Sequence, residues 1–147
     1  MPAIIRPARV EDIAAMSSLL GELFAIEKDF QVDANRQRLG LALLMDCPGA
    51  YLLVAEVSKR VVGMVSVQSL ISTAQGGTVG LLEDLVVDAK YRGQGIGSAL
   101  VESALHWADS QGMSRVQLLA DKNNLAALKF YAARQWRQTQ LICLRKQ

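Results

Sequence analysis

Histidine and cysteine are scarce in this chain of 147 residues: one histidine, His106, and two cysteines, Cys47 and Cys143, far apart and without a Cys-x-x-Cys pair. A structural zinc site wants about four such ligands at short spacings, so no metal site is expected. A domain of this length also buries about 68–70% of the surface its unfolded chain exposes, enough to hold together without a disulfide or a metal. Charge of one sign is lacking as well. Sixteen Lys and Arg against fourteen Asp and Glu leave a net +2, short of the basic face a dedicated nucleic-acid protein carries. No apolar run approaches the roughly 18–20 residues of a membrane span. The opening MPAIIRPARVED is charged by its sixth residue and has no long apolar core of a secretion signal. Repeats, low-complexity tracts and linkers are absent. These absences leave a compact, reduced, cytoplasmic domain over residues 1–147, with neither a nucleic-acid nor a membrane partner.

What is present reads as a globular composition, 51% hydrophobic and 20% charged. Ile4-Ile5 is a short strand ended by Pro7. Ile13, Met16, Leu20, Leu23 and Phe24 recur at helical spacing behind Glu11 and Asp12. A second helix, from Asp33 as N-cap to Leu44, is expected to turn Leu39, Ala42 and Leu43 inward, weakened by Gly40. YLLVAEV, a three-residue turn Ser58-Lys59-Arg60 and VVGMVSVQS form a β-hairpin. After the loop at Gly76-Gly77 comes a third strand, GLLEDLVVD. A helix from Gly95 to Ala108 follows, with Ile96, Leu100, Val101, Ala104, Leu105 and Ala108 on one stripe. Gln111-Gly112 closes it. VQLLA, a short helix LAALKFYAA and a last strand near Gln140–Leu144 complete the chain. This order predicts an α/β fold: a mixed, mostly antiparallel central sheet with helices on both faces.

The chemistry concentrates in LLEDLVVDAKYRGQGIGSALV. Gly93, Gly95 and Gly97 lie between a strand and an amphipathic helix. There, uncovered backbone N–H groups converge at a helix N-terminus and favour a phosphate or pyrophosphate. A dinucleotide fingerprint is excluded because Ser98 stands where its third glycine belongs, and no Gly-Lys-Ser/Thr of a Walker loop exists. The spacing that fits is Arg92-x-x-Gly95-x-Gly97 behind an apolar strand. It resembles motif A of the GCN5-related N-acetyltransferase (GNAT) superfamily. Asn124-x-x-Ala127-x-x-Phe130-Tyr131 resembles that superfamily's later motif at the expected spacing, so the likeness covers almost the whole chain.

The resemblance implies a fold whose fourth and fifth strands splay to admit acetyl-CoA. Leu85, Val86 and Val87 would offer backbone groups to its pantetheine arm, and Arg92, Gly93, Gln94, Gly95, Ile96, Gly97 and Ser98 would cradle its pyrophosphate. Asn124 would touch the cofactor farther along, unless it simply caps its helix. Tyr131 would face the thioester sulfur and serve the departing thiolate, unless it is a core aromatic. Glu83-Asp84 before Leu85-Val86-Val87 narrows the likeness to the diamine branch, the spermidine/spermine and thialysine N-acetyltransferases. There Glu83 would take the amine's proton, directly or through a water, while Asp84 and Glu27 would hold the cationic substrate. Regular strand alternation sends Glu83 and Asp84 to opposite faces unless a bulge intervenes. Glu22 and Asp29, near Phe24 and Phe30, extend the acidic, aromatic-edged region.

Two departures stand out. VSVQSLISTAQGGTVG, before the Glu-Asp pair, carries no aromatic residue, unlike the polyamine enzymes, which favours a smaller amine or an amino-acid side chain. Gln135 precedes Trp136 where the superfamily commonly has glycine, so a local change in helix termination is expected. His106 falls off its helix stripe and reads as surface, Cys47 as a buried or inert thiol, and Trp107 and Trp136 as packing or interface groups. The expected protein is a homodimeric acetyl-CoA-dependent N-acetyltransferase of a small primary amine. A peptide or protein acceptor, or a non-catalytic acyl-CoA-binding module, remains as alternative.

Overall fold

The computed structural model describes residues 2–147. It contains two compact units, one ending at Gln117 and one of Leu118–Gln147. The first begins with strand β1 (Ile4–Pro7) and a single 3-10 turn, then helices α1 (Ile13–Ile26) and α2 (Ala34–Asp46). Strands β2 (Ala50–Val57), β3 (Arg60–Ser72) and β4 (Gly77–Val87) follow, then helix α3 (Ile96–Ser110) and strand β5 (Val116–Leu118). The sheet runs β1-β2-β3-β4-β5. The first four strands pair antiparallel, and β5 joins β4 in parallel through Gly80 N–H to the Arg115 carbonyl at 2.9 Å. β5 has three residues against eleven in β4, so the later part of β4 runs on past its paired stretch.

Helices cover both faces of the sheet. On one, Met16, Leu19 and Leu20 of α1 and Leu41 of α2 pack on Leu52, Val54, Met64 and Val86. On the other, α3 buries Ile96, Leu100, Val101, Ala104 and Ala108, the stripe expected of it, with Leu105 half-buried. The chain approaches α3 closely at Gly63. A Cβ there would stand 3.0 Å from Leu100 and 3.3 Å from the Val86 carbonyl, so only glycine leaves room for this layer. Trp107 stacks on Tyr51 with ring centroids 4.7 Å apart, a packing role. His106 is exposed.

Several boundaries differ from the sequence reading. Helix α2 is capped by Asp33, whose side chain accepts from Arg36 N–H at 3.1 Å, but it turns another face inward. Gln37 and Leu41 are buried, with Leu44 and Met45 partly so, while Leu39 and Leu43 are exposed. Both sets have helical spacing. Gln37 decides between them, because its amide donates to the Ser17 carbonyl at 2.8 Å and accepts from Asp33 N–H, tying α2 to α1. The hairpin turn has two residues, Ser58 and Lys59, both with positive φ (49° and 64°), and Val57 pairs directly with Arg60. Such a turn matches the twist of the flanking strands. Cys47 and Cys143 are free and exposed, not buried.

The second unit holds helix α4 (Leu125–Ala133), with the bounds read from the sequence. No strand forms at Gln140–Leu144: Leu141, Ile142 and Leu144 are at least 80% exposed. Strand propensity becomes a strand only when a neighbouring edge supplies hydrogen bonds, and this segment has no such ladder among the described residues. Nor does the glycine substitution change how α4 ends. Gln135 takes the left-handed conformation itself (φ 69°), while Trp136 N–H bonds the Tyr131 carbonyl at 3.0 Å and Gln135 N–H that of Ala132 at 3.1 Å. That is the glycine-type closure, carried by a residue with a Cβ. Among the described residues no helix is long and apolar enough to cross a membrane.

Candidate active site

The site grows from an irregularity in β4. Met64 pairs with Val86 and Ser66 with Glu83, so Val65 alone faces both Asp84 and Leu85. This is a β-bulge, and Asp84 enters it with φ 58°, a left-handed conformation that costs an L-residue about 1–3 kcal/mol. The extra residue resets the alternation. Asp84 lies within electrostatic reach of Glu83 and of Glu27, which ends α1 as its C-cap. Burial and the neighbouring Glu83 and Glu27 push the Asp84 carboxyl up to about 6. Burial also raises Glu83. Among the described residues no group of three or more His, Cys, Asp or Glu side chains is placed to hold a metal ion.

Of the other expected acids, Glu22 and Asp29 are exposed. Phe24 and Phe30 lie with ring centroids 5.2 Å apart around the turn that carries Glu27. Two residues singled out by no motif reach Glu83. The Ser66 hydroxyl donates to its carbonyl at 3.2 Å, and Gln68 Nε2 donates to its Oε1 at 3.2 Å. The one signal for Ser66 is a hydroxyl inside the otherwise apolar run from Val61 to Val67.

Beyond the bulge, Leu85–Val87 lead to the glycine loop. Asp88 holds the first turn through Lys90 N–H at 2.9 Å, and Arg92 Nε donates to the Val87 carbonyl at 3.0 Å. Gly93 and Gly95 have φ of 77° and 82°, and Gly95 is the N-cap of α3. A Cβ built on either meets nothing within 4 Å. The glycines answer to backbone conformation, and the space they leave lies at the helix N-terminus. No backbone acceptor among the described residues takes the amides of Gln94, Gly95, Ile96 or Gly97. A cradle of amides with open room in front fits a pyrophosphate such as that of acetyl-CoA.

In the second unit, Asn124 caps α4 through Ala127 N–H at 3.1 Å. Tyr131, on the last turn of α4, meets Phe130 and Trp136 edge-on with centroids at 5.2 Å and 5.7 Å.

Residues 15–135 match the model of the acetyltransferase (GNAT) family. The chain belongs to this family. Its fold agrees with a solved structure described as a transcriptional regulator from Bacillus halodurans, with a TM-score of 0.86, 26% identity and 99% of both chains covered. The chain is 31% identical to the thialysine N-epsilon-acetyltransferase of Bos taurus, over 88% of this chain and 81% of that protein. It is 29% identical to the aminoalkylphosphonate N-acetyltransferase of Salmonella typhimurium, over 92% and 85%. An uncharacterized N-acetyltransferase of Methanocaldococcus jannaschii matches at 34% over 79 residues, so the GNAT chain spans about a third (35%) of that relative's length.

Proposed function

We propose that residues 1–147 act as one N-acetyltransferase domain that moves an acetyl group from acetyl-CoA to a primary amine of a small cationic metabolite, a diamine or an amino-acid side chain. The observation that carries this reading is the placing of Asp84 in the bulge, where burial and the charges of Glu83 and Glu27 push its carboxyl up to about 6. An ammonium substrate bound beside Asp84 relieves that repulsion. The absence of aromatics from Val65 to Gly80 favours a short acceptor over a long polyamine.

Acetyl-CoA, held at the amides of Arg92–Ser98 and along Leu85–Val87, supplies an activated thioester. An amine with a pKa of about 10 must lose its proton before it attacks. Asp84 and Glu27 hold the substrate's positive charge, and Glu83 accepts the proton, directly or through a water. A backbone N–H released at the bulge stabilises the charge that develops on the carbonyl oxygen. Asn124 is assigned to the cofactor and Tyr131 to protonation of the departing thiolate on the strength of the later motif. The protein is read as cytoplasmic and as a homodimer. The exposed Leu141, Ile142 and Leu144 support the second point, and light scattering during gel filtration tests it.

The deciding experiment is release of free CoA thiol from acetyl-CoA with thialysine, lysine, short diamines, spermidine, 2-aminoethylphosphonate and peptides with free N-termini. Turnover on a small cation, lost in Tyr131→Phe and Glu83→Gln, is expected. Turnover on peptides alone would replace the acceptor class. Tight acetyl-CoA binding with no turnover on any amine would point to a binding module.

A further inference from the structure

Strand β3 holds Glu83 at two points. Ser66 is fully buried, in a strand whose other buried positions are apolar or glycine. Its hydroxyl donates to the Glu83 carbonyl beside the bulge, where the ladder is interrupted, and so fixes the main chain from which the Glu83 side chain departs. Two residues on, on the same face of β3, the Gln68 side chain donates through Nε2 to the Glu83 carboxylate. An ionised carboxylate only accepts, so the amide must present its N–H₂ end. From this geometry we propose that Gln68 is the positioning residue for the Glu83 carboxylate, holding it ionised and aimed while Ser66 anchors the backbone beneath it.

The proposal rests on the reading of Glu83 as the proton acceptor. Asp84, next on the strand and itself in reach of Glu27 at the end of α1, sets a negative charge beside Glu83. Burial already disfavours the ionised form of Glu83. The Gln68 N–H works in the opposite direction, because a hydrogen bond to the charged form favours it.

The test uses the full-length chain and two substitutions of opposite sign, Gln68→Leu and Gln68→Lys, with Glu83→Gln as control. The primary readout is the titration of the Glu83 side-chain carboxyl by carbon-13 NMR without substrate. Loss of the donor in Gln68→Leu should move the midpoint up by about half a pH unit, and the cation in Gln68→Lys should move it down by at least as much. With thialysine and acetyl-CoA, the acidic limb of kcat/KM should follow the same two directions. In Gln68→Leu, kcat should fall about three- to tenfold with the KM for acetyl-CoA unchanged. A merely structural role for Gln68 would lower stability without shifts of opposite sign. If both variants titrate like the wild type while Glu83→Gln abolishes turnover, this inference falls and the catalytic role of Glu83 stands. If Glu83→Gln retains full turnover at all pH values, the proton-acceptor reading falls, and the catalytic meaning of Gln68 with it.

Discussion

Asp84 joins two unfavourable features, a left-handed backbone on a residue with a Cβ and a carboxyl pushed up to about 6 by burial and by Glu83 and Glu27. The folded protein binds this proton more tightly than the unfolded chain, where Asp titrates near about 3.9. Stability therefore falls as pH rises from about 4 to 6 and is level above that. Ionised Asp84 costs on the order of 2–3 kcal/mol at pH 8. Asp84→Asn keeps the shape and tolerates the left-handed conformation. It should unfold at higher urea than the wild type at pH 8 and at about the same urea at pH 4. Equal midpoints at both pH values would show that the carboxylate is not held at a cost. The same variant should raise the KM for a cationic amine, the trade of stability for function expected of a binding group. Arg6 is the contrasting case. Its five N–H donors all bond, to Asp12, Glu56 and the Pro7 carbonyl. The guanidinium holds Asp12 below the usual carboxylate range, so this contribution is present at neutral pH and is lost as pH falls through that depressed value. Arg6→Leu strands two partly buried carboxylates and should cost about 3–5 kcal/mol in urea unfolding at pH 7.

Among the elements, the ends of the helices were legible and their inward faces less so. Asp33 as a cap, Gly112 as a stop and the bounds of α4 follow from local chemistry, because a cap or a left-handed stop involves neighbours in the chain. The face of α2 does not. Leu39 with Leu43 and Gln37 with Leu41 are equally periodic, and the bonds from Gln37 to Ser17 and Asp33 select the second pair. At the end of α4, Gln135 occupies a position where glycine is free of Cβ strain, so Gln135→Gly should stabilise by about 0.5–1 kcal/mol, read as a rise in Tm. The glycine loop gives the opposite result. Gly95 stands at φ 82° in open space, so Gly95→Ala strains the loop and places a methyl group in the cradle. It should weaken acetyl-CoA at least tenfold by calorimetry, with a loss of stability of only about 1–2 kcal/mol.

For the whole molecule, amide exchange should divide the chain sharply. Val62, Met64, Val65 and Val67 of β3, buried between two layers, should exchange slowest, and residues 141–147 should approach the rate of a free chain. Protection at 141–147 that grows with protein concentration would show that a second copy covers this segment. The sequence by itself determined the family, the order of elements as far as α4 and the chemical types at the site. A glycine loop before a helix, an amphipathic stripe and a Glu-Asp pair are local patterns, set by spacing along the chain. Tertiary structure alone decided the surroundings of Asp84, which sits in a bulge within reach of Glu83 and Glu27. The two-against-one register between β3 and β4 that makes this bulge depends on pairing residues 17 positions apart, Ser66 with Glu83. It likewise brought Glu27 to Asp84 and Gln68 to Glu83, because a charge or a hydrogen bond acts through space and leaves no periodicity in the sequence.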